Sequence, residues 1–113
     1  MTKEELSKIL HSVGVPVNEG ITDTKNEKTY PRIDYFEIAW EDVMSSGEEY
    51  TEQDTYQISL YARKMRCKEL LLLRKLLRGN GLHPIIYHEF NQEERLWHSY
   101  MSVEVIVEET EHE

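Results

Sequence analysis

Residues 56–81 read YQISLYARKMRCKELLLLRKLLRGNG, and the change of period inside this stretch decides the fold. Tyr56, Ile58 and Leu60 alternate with Gln57, Ser59 and Tyr61, the period-two pattern of a strand with one inner and one outer face. From Ala62 to Arg78 the spacing turns helical. At about 100° per residue, Ala62, Met65, Leu72, Leu73, Leu76 and Leu77 share one arc, which predicts the buried stripe of a helix packed on a sheet. Gly79-Asn80-Gly81 then offers the left-handed residue that commonly ends helices.

Working outward from this strand-helix unit, Ile85 to Phe90 and Trp97 to Val107 read as two strands around Asn91-Gln92-Glu93-Glu94. The second places Trp97, Met101, Val103, Val105 and Val107 on one face. Upstream, Pro31 opens a strand in which Phe36, Ile38 and Trp40 alternate with Tyr35, Glu37 and Ala39. Glu41 to Glu52 holds five acids around Ser45-Ser46-Gly47 and predicts a long hairpin loop. Thr2 and Glu5 form a capping-box pattern ahead of Leu6, Ile9, Leu10 and Val13, predicting a helix over about residues 3–12. The polar stretch at about 18–30 predicts a mobile loop, and the acidic tail 108–113 should fray. The expected fold is therefore α+β in a single domain, 1–113: a short N-terminal helix, a mainly antiparallel sheet of four to five strands, and one long helix between two hairpins.

Length and composition set further bounds. The 113 residues suffice for one core, and 39% hydrophobic against 31% charged residues describes a globular chain. The single Cys67 cannot form an internal disulfide, which suits assembly in a reducing cytoplasm. The charged N-terminus lacks the apolar stretch of a secretory signal, so no export is expected. Leu70 to Leu73 is the longest apolar run, far short of the roughly 20 residues a membrane helix needs.

Charge is distributed unevenly. The net charge is −9, yet seven of the thirteen basic residues fall between Arg63 and Arg78 with Glu69 the only acid, so that segment carries +6 and the remainder −15. Lys64, Lys68, Leu71, Lys75 and Arg78 line the side of the helix away from the apolar arc. Three readings fit this stripe. It is a solvated face carrying a tolerated leucine, or a subunit interface with Leu71 as anchor and cations meeting the acids of a neighbour, or a nucleic-acid contact opposed by the overall charge.

Chemical signatures are sparse. Five histidines include no helical i, i+4 pair, and His88 and His98 face each other across the last hairpin only if Phe90 pairs with Leu96. Cys67 has no base supplied by a motif, no nucleophile elbow occurs, and Gly79-Asn80-Gly81 has the wrong polarity for a phosphate loop. The nine Tyr and Trp side chains fit sheet packing better than a base-stacking platform. The expectation is a noncatalytic protein with no metal and no cofactor.

The order of elements carries a resemblance. A short helix and polar loop lead through Tyr30-Pro31-Arg32-Ile33 into a strand, followed by an acidic loop and Tyr56-Gln57-Ile58-Ser59-Leu60-Tyr61. The long helix ends in Leu76-Leu77-Arg78-Gly79-Asn80-Gly81, and a hairpin closes on Leu96-Trp97-His98-Ser99-Tyr100. Over nearly its whole length the chain resembles the tail-terminator or head-to-tail joining proteins of long-tailed phages and prophages. That resemblance implies a homo-oligomeric ring, usually hexameric, seated on the tail tube protein and offering a surface to the head completion or connector protein. DNA is then passing cargo, and the protein resides in the virion neck after assembly in the host cytoplasm. A ring needs two unlike faces, which a basic helix on an acidic body provides. On this reading Lys64, Lys68, Leu71, Lys75 and Arg78 belong to subunit contacts. Asp42, Val43, Met44, Glu48, Glu49 and Tyr50 belong to axial contacts. The alternative is a small interaction module that binds nucleic acid or an acidic protein through residues 63–78.

Overall fold

The computed structural model describes residues 1–20, 24–46 and 49–107. The architecture is α+β, with two helices on one face of a five-stranded mixed sheet. Helix α1 (Lys3–His11) begins as its capping pattern predicts, with Thr2 Oγ1 accepting from the Glu5 amide at 3.2 Å, and buries Leu6, Ile9 and Leu10. Strand β1 (Val17–Glu19) runs parallel to β2 (Arg32–Ser46), and β3 (Glu49–Ala62), β5 (Leu96–Val107) and β4 (Tyr87–Asn91) follow in that spatial order, all antiparallel. Helix α2 (Lys68–Gly79) connects β3 to β4.

The core lies between the helices and one face of the sheet. Ile33 and Tyr35 of β2, Tyr56, Ile58 and Leu60 of β3, and Met101, Val103 and Val105 of β5 stand opposite Leu6, Leu10, Leu70, Leu73 and Leu77. The inward face expected for β5 is the one observed.

Helix α2 starts later than its sequence suggests. Strand β3 continues to Ala62, which pairs with Trp97, and the chain then turns through Arg66, whose φ is 54°, to reach Cys67 at the N-cap. Ala62 is thus a core residue of the strand. The buried stripe is Leu70, Leu73 and Leu77, with Leu76 partly buried, while Leu72 and Met65 are exposed. Four consecutive leucines occupy more than a full turn, so periodicity alone cannot select which of them face inward. The end of α2 follows expectation: Gly81 is left-handed at φ 80°, its amide reaches Arg78 O at 3.0 Å and the Leu82 amide reaches Leu77 O at 2.9 Å, the paired bonds of a Schellman cap.

Two expected loops form regular structure within their described residues. Within 18–30, Asn18 and Glu19 belong to β1, and Thr24–Asn26 forms a single 3-10 turn. The Asn26 amide group donates to Asn18 Oδ1 at 3.4 Å, and Glu27 O accepts from Arg32 Nη1 at 2.7 Å, so side-chain bonds hold a segment that has no apolar anchors. Residues 41–46 and 49–52 are strand, not loop. They continue β2 and β3 through Asp42↔Glu52, Val43↔Thr51 and Met44↔Tyr50 into a long hairpin arm. Like charges paired across strands disfavour this, but Val43, Tyr50 and Thr51 favour the pleat and the ladder needs only backbone groups. The tail 108–113 lies outside the described residues. The molecule measures 51 × 28 × 23 Å.

Candidate functional site

Three surfaces stand out: the outer side of α2, the hairpin arm, and the sheet face away from the helices. On α2, Lys68, Leu71, Lys75 and Arg78 follow one another at helical spacing and are all exposed, Leu71 at 47%. Lys64 is exposed but precedes the helix, in the turn, so it flanks the stripe. Among the described residues none of these cations forms a salt bridge. Leu71 does not stand isolated. With Leu70, Pro84, Ile86, His88, Arg66 and Arg74 it lines a cleft between α2 and the segment leading into β4. Arg66, Arg74 and Ile86 were invisible as a group in sequence, because the cleft depends on where residues 82–88 return past the helix.

The arm carries its own pattern. A bulge after Glu37 shifts the alternation, so Glu37, Trp40, Asp42 and Met44 of β2 share one face with Tyr50, Glu52 and Asp54 of β3, the side on which the helices lie nearer the body. Trp40 is 68% exposed, Tyr50 62% and Met44 56%, whereas Tyr35 is buried. The expected half-buried run Phe36, Ile38 and Trp40 is exposed instead, because the inward set of β2 is Ile33 and Tyr35 and the buried core does not extend along the arm. Of the residues expected in axial contacts, Asp42, Val43, Met44 and Tyr50 lie on this arm, all exposed. Glu49 opens β3, and Glu48 lies outside the described residues.

At the foot of the arm Asp54 is buried across the ladder from Trp40, and its Oδ1 has no hydrogen-bond partner among the described residues. Local desolvation, then the adjacent Asp54 charge, raises the Glu37 carboxyl above the ordinary carboxylate range.

The open sheet face bears two cross-strand rows that the sequence reading did not assemble. One runs Arg32↔Tyr61↔His98↔Glu89, with the Arg32 guanidinium 4.6 Å from the Tyr61 ring centroid and Tyr61 stacked on His98 at 4.5 Å. The next runs Asn18↔Asp34↔Ser59↔Tyr100↔Tyr87. Asp34 accepts from Arg32 Nε at 3.2 Å and from Asn18 Nδ2 at 3.0 Å. His98 Nε2 lies 2.8 Å from Ser59 Oγ, and its burial lowers the imidazole pKa against the opposing pull of Glu89. Arg32, Asp34, Asn18, Ser59 and His98 are therefore each tied into the sheet by a polar partner.

The possible metal pair does not converge. Phe90 pairs with Trp97, because a four-residue loop closes between Asn91 and Leu96 with Arg95 left-handed, so His88 meets Ser99 and His98 points to the opposite face. Among the described residues no group of three or more metal-binding side chains occurs. Burial raises the Cys67 thiol above its usual pKa, which favours the protonated form. No described helix is long and apolar enough to cross a membrane. No protein-family model and no curated protein matches the chain.

Proposed function

We propose that this chain is a noncatalytic structural protein of a phage or prophage tail, which assembles head to tail into a closed ring at the end of the tail tube and joins it to the head connector. The observation that carries this reading is the unneutralised cationic face of α2, with Leu71 at its centre, on a body that is otherwise strongly acidic. A solvated helix face gains nothing from concentrating cations, and α2 with the turn that precedes it, residues 63–78, holds seven of the thirteen. A subunit contact does, since complementary charge steers association and fixes orientation around an apolar anchor. Heterologous contacts between unlike faces close into rings, and the acidic remainder gives passing DNA little cationic surface on which to release counterions. The ring number of six comes from the resemblance to tail terminators.

Leu71→Asp tests the reading. The position is exposed, so the monomer is expected to stay folded by circular dichroism while the oligomer mass measured by light scattering falls. An unchanged oligomer mass overturns the assignment of this face. Salt-sensitive DNA binding, abolished by changing Lys64, Lys68 and Lys75 to Glu, would favour the interaction-module reading instead.

A further inference from the structure

The hairpin arm and the α2 cleft are complementary surfaces that one molecule cannot bring together. The arm's inner face presents Trp40, Met44 and Tyr50 among Glu37, Asp42 and Asp54; the cleft presents Leu71 and Ile86 among Arg66 and Arg74, with Lys68 and Lys75 beside it. One is acidic with exposed aromatic and thioether side chains. The other is basic, with Leu71 exposed and Ile86 partly buried. Their lengths agree: six residues of β2 beyond Trp40 extend about 20 Å, and the twelve residues of α2 about 18 Å. Within a chain they are far apart, because the cleft lies level with the row His88↔Ser99↔Leu60, six residues along β3 from Asp54, again about 20 Å.

We propose that the arm of one copy lies in the α2 cleft of the next, so that Trp40 and Leu71 meet at the centre of the subunit contact. This rests on the ring-forming reading above and names the surface that the basic face of α2 receives. Two features of the arm call for a cover. Its apolar side chains are exposed together, which is costly unless they meet a partner. Beyond Tyr35, β2 has no strand on its outer side among the described residues, leaving a long edge. Asp42 on the arm and Lys68, Arg74 and Lys75 on α2 are without salt bridges among the described residues, so pairing these charges between copies breaks no internal pair.

The test is charge reversal in trans on the full chain. One variant carries Glu37→Lys with Asp42→Lys on the arm; the other carries Lys68→Glu with Lys75→Glu on α2. Each alone is expected to be monomeric, since its two surfaces now repel. Mixed, they are expected to regain the wild-type oligomer mass, because each arm then faces a helix of opposite sign. Recovery on mixing cannot arise from a folding defect. Trp40→Ala is expected to weaken wild-type self-association at least about 30-fold by analytical ultracentrifugation, as for an interface anchor. If the helix variant is monomeric but the arm variant and Trp40→Ala assemble normally, the arm proposal falls while the ring-forming face of α2 stands. Loss of assembly in both single variants with no recovery on mixing also overturns the arm-to-cleft pairing. A wild-type chain that stays monomeric at the highest concentration it tolerates overturns both readings.

Discussion

Replacing Asp34 by Ala should be among the most damaging single changes in this protein. Asp34 is 6% exposed and Arg32 9%, and their 3.2 Å contact lies on the sheet face that carries no helix, beneath the segment preceding β2. The substitution leaves the guanidinium with the Glu27 carbonyl at 2.7 Å and the Tyr30 and Tyr61 rings, but with no counter-charge, and removes the acceptor of the Asn18 amide group. Breaking a buried ion pair from one side costs about 3–5 kcal/mol. With a urea slope of about 2 kcal/mol/M, the unfolding midpoint should fall by about 2 M. The double replacement Arg32→Met with Asp34→Leu removes both charges and should recover most of the loss, because the pair's own net contribution is small once desolvation is counted. Equilibrium urea unfolding followed by circular dichroism measures both. A loss below about 1 kcal/mol for Asp34→Ala would mean that water already solvates the pair, and the tethering assigned to residues 24–30 would be wrong.

Other expectations concern the local structure. Gly81→Ala should cost about 1–2 kcal/mol in thermal or urea unfolding, because its Cβ meets nothing within 4 Å and only the left-handed backbone is penalised; no change would remove the Schellman cap from the account. Leu73→Ala, at a position 0% exposed, should cost about 2–5 kcal/mol, whereas Leu72→Ala on the exposed side should cost far less; equal losses would contradict the observed stripe. Burial lowers the His98 pKa from its ordinary 6.5, so the folded chain resists protonation that the unfolded chain accepts. Its contribution to stability should be constant above about pH 6.5 and decline as pH falls below it, and His98→Gln should flatten that part of the profile. A steeper decline in the variant would reverse the sign assigned to this site.

The elements of the fold were largely legible because two periods dominate them. Thr2 with Glu5 marked the start of α1, Gly79-Asn80-Gly81 marked the end of α2, and the alternation from Trp97 to Val107 gave the inner face of β5. What stayed hidden was set by tertiary context. Leu70 and Leu72 are indistinguishable in a run of leucines until the sheet chooses a side, and the acids around Val43 and Tyr50 concealed two paired strands. In β2 the alternation was legible but its inner side was not: Phe36, Ile38 and Trp40 read as the half-buried set, whereas Ile33 and Tyr35 face the core, and the burial of Arg32 and Asp34 by a neighbouring segment left no mark in the sequence. The exposed stripe around Leu71 was readable; the cleft beside it was not, since Pro84 and Ile86 reach it through the fold rather than the helix.

The most direct test of the central claim is the mass of the wild-type chain by light scattering across protein concentration, at low and at high salt. A surface joined by opposite charges around an apolar anchor predicts growth to a single closed multiple of the monomer, with the transition moving to higher concentration as salt screens the contact. A monomer at every concentration and ionic strength would contradict it.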